Sequence, residues 1–115
     1  MSKKKNIIWK KKVDILGTIY DVQYKRNDKR CTAYNCDGFT SWDEKIIRVI
    51  DTDCPQFDRK NVRHEILHAF MFESALQNNT HVKPEDCIHD EQMIDWIAIQ
   101  WPKIYKVFSE LNVLD

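Results

Sequence analysis

The sequence predicts an α+β domain in which a small, mainly antiparallel sheet precedes two long helices. Three observations carry the prediction. β-branched and aromatic runs gather before residue 52. From Asp58 to Leu76 the chain lacks Gly and Pro and is rich in helix formers. Beyond Pro84, apolar residues return at three- and four-residue intervals.

The elements follow in order. Residues 1–12 form a lysine-rich tail or a first strand. Val13–Leu16 and Ile19–Tyr24 read as extended runs around a turn or bulge at Gly17. Arg26–Asp37 is polar and irregular, a loop or an edge hairpin, and Asp37-Gly38 marks a turn. Lys45–Ile50 is a further strand, closed by Asp51–Pro55, so the sheet spans residues 13–51. Asp58 is the expected N-cap of a helix over 58–76, with Phe70, Met71 and Phe72 packing it on the sheet. Pro84 and its acidic neighbours open another helix over 84–112, which Pro102 should kink or divide. Ile94, Ile97, Trp101, Ile104, Phe108 and Leu111 keep helical spacing, and Trp96, Trp101, Tyr105 and Phe108 are expected in the core.

Length and composition narrow the function. With 115 residues the chain has room for one core, a single domain. Two Gly and three Pro exclude collagen-like and linker-rich chains. No apolar run approaches the roughly 18–20 residues of a membrane span, and no secretory signal is visible, so the expected compartment is the cytoplasm. The zero net charge conceals a balance of +7 over residues 1–30 and −7 beyond. A solvated basic segment explains the first, since no nucleic-acid motif accompanies it. Cys31, Cys36, Cys54 and Cys87 form neither a CxxC pair nor a zinc-ribbon spacing and are expected as free thiols.

His64-Glu65-Ile66-Leu67-His68 carries the chemistry. It falls inside the predicted helix, where residues four apart share a face and can offer two imidazole nitrogens to one Zn2+. Glu65 sits one step around, placed to take a proton from a zinc-bound water. A catalytic zinc needs a third protein ligand and an open position. Glu91 and Asp95, four apart on the second helix, suit that need: Glu91 as ligand, Asp95 hydrogen-bonding the far nitrogen of a ligating histidine. This Glu-x-x-x-Asp arrangement resembles the third-ligand helix of thermolysin-like gluzincins. His89 is the rival ligand.

Around the motif, Gly17-x-x-Tyr20-x-Val22, Gly38-Phe39-Thr40, Ile47-Arg48-Val49-Ile50-Asp51 and Val62-Arg63-His64-Glu65-Ile66-Leu67-His68-Ala69-Phe70 resemble the small ImmA/IrrE-type zinc metallopeptidases. The likeness is greatest to the compact versions carried by phages and prophages of Gram-positive bacteria. It covers roughly residues 13–100, and its specific part is the His-Glu-x-x-His helix. The resemblance implies a minimal zincin fold and a Glu ligand followed by apolar residues three and six places on, which Glu91, Ile94 and Ile97 match. It implies a protein or peptide substrate, held as an added strand on a sheet edge near the zinc, for which Lys45–Asp51 is the candidate. Longer relatives carry an additional helix-turn-helix or regulatory domain, for which this chain has no room. Tyr105, His81 and His89 are the candidates to stabilise an oxyanion. A different class of function is a zinc-binding interaction or regulatory module with little peptidase activity. An open coordination position separates the enzyme from it.

Overall fold

The structure is a computed structural model that describes residues 5–74 and 91–115, and only the backbone of residues 91, 92, 94, 95 and 98. Four strands and three helices are seen: β1 (Ile7–Ile15), β2 (Thr18–Lys25), α1 (Lys29–Tyr34), β3 (Gly38–Ser41), β4 (Ile46–Ile50), α2 (Pro55–Glu73) and α3 (Glu91–Leu111). The sheet runs in the order β1-β2-β4-β3 and is mixed. β1/β2 and β3/β4 are antiparallel, and β2/β4 is parallel. The α+β class therefore holds, with one parallel pairing inside the expected antiparallel sheet.

The lysine-rich start is strand rather than tail. β1 pairs with β2 from Ile7 onward, and Lys10, Lys11 and Lys12 are exposed along it. Lysines on an outer strand discourage pairing with another chain. The β1/β2 hairpin closes through Leu16 and Gly17, both at positive φ (54° and 94°). That combination gives a turn whose twist matches the strands it joins. The irregular stretch after β2 contains α1, whose N-cap Asp28 accepts from the N–H groups of Arg30 and Cys31. Asp28 is itself buried, 2.8 Å from Lys25 Nζ and 3.2 Å from Arg48 Nη1. Burial opposes its ionisation, but the Lys25 bond, the Cys31 N–H and the two cations outweigh that and hold its carboxyl below the ordinary value. The left-handed turn falls at Asn35, the C-cap of α1, while Gly38 is already in β3.

One face of the sheet is the core. Val13, Ile15, Tyr20, Val22, Ile47 and Val49 alternate inward along their strands and meet Val62, Ile66, Ala69 and Phe70 of α2 and Ile104, Val107, Phe108 and Leu111 of α3. α2 lies over β3 and β4, and α3 over β1. Two carboxylates, one buried and one half-buried, fasten α2 to the sheet. Asp58 accepts from Tyr24 Oη, from Thr52 Oγ1 and from Thr52 N. Asp58 is thus not the cap: Cys54 is, with Pro55 opening the helix, so α2 begins earlier than expected. At the other end Glu73 accepts from Thr18 Oγ1 and Tyr20 Oη, both at 2.7 Å, and from Lys45 Nζ at 3.2 Å. Burial again opposes, but the Tyr20, Thr18 and Lys45 bonds prevail and lower the Glu73 carboxyl below its usual value. Burial first, then the bonded carboxylates, pushes the Tyr20 and Tyr24 phenols well above the ordinary tyrosine value.

Several expectations about α3 are corrected. The helix is not divided at Pro102, which lies on the exposed side where a carbonyl left without its donor can meet water. Trp96 and Phe108 are core, but Trp101 and Tyr105 are each 49% exposed, their rings tilted against each other with centroids 6.3 Å apart, and Ile97 is 47% exposed. Three- and four-residue spacing continues around a helix, so the pattern alone did not say which stripe faces inward. Cys31, Cys36 and Cys54 are free thiols, as expected. Burial, with Cys36 beside it, pushes the Cys31 thiol up to about 12, which makes it inert at neutral pH. Cys87 lies outside the described residues. Among the described residues, no helix is long and apolar enough to cross a membrane.

Candidate metal centre

α2 presents the motif in mid-helix. Its inward stripe anchors Val62, Ile66, Ala69 and Phe70, which leaves His64 exposed and His68 half-buried along the helix flank. The two rings meet edge to face with centroids 4.8 Å apart, and their Nε2 atoms approach to 3.2 Å. Two nitrogens bound tetrahedrally at 2.0–2.1 Å to one zinc stand roughly 3.3 Å apart. The pair therefore fits two corners of such a site, and imidazole nitrogen is a donor of the type zinc takes.

Glu65 is held differently. It is only 8% exposed, turned toward the sheet. Thr40 of β3 donates to its Oε1 at 2.8 Å and stands 2.9 Å from its main-chain carbonyl oxygen. One carboxylate oxygen thereby accepts from a strand hydroxyl, and the other has no hydrogen bond among the described residues. A Cβ at Gly38 would crowd the neighbouring strand β4, meeting Arg48 O at 3.0 Å and Val49 Cγ2 at 3.1 Å, while Glu65 Cγ of the helix at 3.5 Å would be in ordinary contact. Thr40 belonged to a quoted motif, yet nothing local revealed its bond across 25 residues to Glu65. Asn61, one turn before Glu65, is 8% exposed, and its amide nitrogen has no partner among the described residues.

The edge beside the site is β3, not Lys45–Asp51. β4 lies between β2 and β3 and is paired on both sides. Ile50 N donates to Asp37 O, and antiparallel pairing alternates, so Phe39 and Ser41 direct their main-chain groups to β4. Gly38 and Thr40 direct theirs to the open edge. The residue that braces Glu65 through its side chain thus offers its N–H and C=O outward.

Of the expected site residues, the structure describes together the ligand candidates His64 and His68 and the expected base Glu65. Glu91 is the first described residue of α3 and Asp95 stands one turn along it, but their side chains lie outside the described residues, as do His81 and His89. Among the described residues no group of three or more His, Cys, Asp or Glu could hold a metal ion; the histidine pair stands as two ligands. Among the described residues, one cavity of about 340 Å³ lies under Trp9, Tyr24, Val62 and Val113 and another between Leu16 and Val107, and neither includes a motif residue. The histidine pair lies on the flank of α2, the helix that packs on the edge strand β3. No protein-family model, curated protein or solved structure matches this chain.

Proposed function

We propose that the chain is a zinc-dependent peptidase with a minimal zincin fold, similar to the ImmA/IrrE type. The observation that carries the reading is the approach of His64 Nε2 and His68 Nε2 to 3.2 Å on an exposed helix flank, with Glu65 braced beside them from an edge strand. His64, His68 and Glu91 would hold the metal, with Asp95 orienting a ligating imidazole. When bound, zinc supplies Lewis acidity to a water and to the substrate carbonyl.

The protein's own residues do the rest. Thr40 occupies Glu65 Oε1, so Oε2 is the atom that takes a proton from the attacking water and returns it to the departing amine. The outward N–H and C=O of Gly38 and Thr40 receive an extended polypeptide as a fifth strand. Because Thr40 serves both groups, substrate backbone and general base are registered by a single residue.

Metal analysis and cleavage of a denatured-protein panel test the reading together. One zinc per chain is expected, lost in His64→Ala and much weakened in Glu91→Ala. Glu65→Gln should keep the metal and lose all cleavage; cleavage retained by that variant refutes the mechanism. Zinc retained by Glu91→Ala would move the third ligand to His89. A second reading, a zinc-holding interaction module, is favoured by one observation: Ile97, Trp101 and Tyr105 leave an exposed apolar stripe on α3. Stoichiometric zinc with no cleavage by the wild type would select it.

A further inference from the structure

At the far end of β3, one turn past His68, an aromatic pair stands in the open. Trp42 is 54% exposed and lies 6.0 Å, centroid to centroid, from Phe72. Phe72 follows His68 by four residues, so both lie on one flank of α2, about one helical turn or 5–6 Å apart. Trp42 directly follows Ser41, the last residue of the edge strand.

This exposed indole is held rather than loose. Lys45 Nζ sits 5.8 Å from its ring and is tied to Glu73 at 3.2 Å. The turn that carries it is pinned by Ser41 Oγ donating to Asp43 at 2.8 Å and by the 2.7 Å Arg30–Glu44 ion pair. Lys45 takes a positive φ of 59° to complete the turn. Four constraints thus keep a large apolar ring in water at the mouth of a free strand edge, where it covers little of the core.

We propose that Trp42 and Phe72 form an aromatic subsite that selects a bulky apolar side chain in the substrate. The proposal rests on the peptidase reading and deepens it. A strand laid on Gly38 and Thr40 advances about 3.3 Å per residue and turns alternate side chains to the same face. Continued past Ser41, it brings a side chain within one or two residues of the scissile bond over the Trp42–Phe72 pair. The substrate class is therefore an extended, unfolded segment with Phe, Trp, Leu or Met close to the cut, such as a hydrophobic strand released from a folded protein. An aromatic contact of this kind is worth about 0.5–1.5 kcal/mol, roughly a 2- to 10-fold preference.

The test uses the full chain as its zinc-loaded Glu65→Gln variant, immobilised and exposed to a random mixture of blocked decapeptides. The retained peptides are sequenced. Expected is at least a twofold enrichment of Phe, Trp, Leu and Met at one position, lost when Trp42→Ala is added and kept with Trp42→Phe. An unchanged melting temperature of Trp42→Ala excludes a folding defect. No enrichment, or enrichment that survives Trp42→Ala, overturns the subsite. Offering the retained peptides to the wild type then tests the parent reading separately: selective retention without cleavage refutes the peptidase and leaves the subsite standing.

Discussion

α2 and α3 are similar in length and pack on the same face of one sheet, yet they are held by different physics. α2 buries Asp58, Asn61 and Glu65 among its apolar residues. Through Asp58, Glu65 and Glu73 it is hydrogen-bonded to β2, to β3 and to the loop after β4. The buried described side chains of α3 within the helix, Trp96, Ile104, Val107, Phe108 and Leu111, are all apolar. Its Trp96 Nε1 donates to Ser74 Oγ at 2.8 Å as a polar tie. Apolar burial stabilises in proportion to area but does not set a direction. Hydrogen bonds to buried carboxylates do set one, because a misaligned partner leaves a charge unsolvated. The helix that carries His64, Glu65 and His68 is fastened to the sheet through hydrogen-bonded carboxylates; among the described residues α3 is held mainly by apolar contacts, with the Trp96 bond and one from Lys11 Nζ to Glu110 O beside them.

The largest effect should come from the apolar layer the two helices share. Phe70 is fully buried and Phe108 nearly so, and either residue changed to Ala should cost about 3–5 kcal/mol in urea unfolding. A cost under 1 kcal/mol at Phe70 would remove it from the core. Thr40→Val tests the directional side. Loss of the donor to Glu65 should destabilise by about 1–3 kcal/mol. Cleavage should fall roughly 10- to 100-fold with zinc retained, the range seen when an outer partner of a metal site is removed. Unchanged turnover would show that Glu65 needs no brace.

Acid sharpens the contrast further. Asp28 and Glu73 ionise below their ordinary values of 3.8 and 4.5. Just below those values the unfolded chain binds more protons than the folded one, so stability falls as pH falls. Their contribution is complete above the ordinary values and is lost as pH drops through the depressed ones. Amide exchange should show the Glu73 end of α2 opening before Ile104–Leu111 of α3 does; simultaneous opening would erase the distinction. The smallest effect belongs to the exposed face of α3. Trp101→Ser should change stability by no more than about 0.5 kcal/mol. A larger thermal shift would mean that this face is covered.

The histidine pair was legible because it depends on local geometry alone: four residues make one turn, and the helix around them has no breaker. A turn at Gly17 between two extended runs was legible for the same reason, though Leu16 belongs to the turn and not to the strand. Asp58 was misread as a cap because an acid near a helix start looks the same whether it binds its own helix or a tyrosine 34 residues away. Lys45–Asp51 was misread as an edge because β-branched residues declare a strand without declaring its neighbours. The exposed Trp101 and the buried Trp96 share a helix and a residue type, and only packing against β1 and α2 separates them.

The sequence by itself determined the α+β class, the mid-helix His-Glu-x-x-His and the common face of its two imidazoles, because each follows from short-range periodicity. Tertiary structure decided that β2 pairs with β4, which leaves β3 at the edge. It decided that Thr40 reaches Glu65 and that Trp42 stands beside Phe72. Those are contacts between residues about 25–30 positions apart. Their geometry is set by strand order and by which face of each helix is buried, and neither is encoded in any one segment.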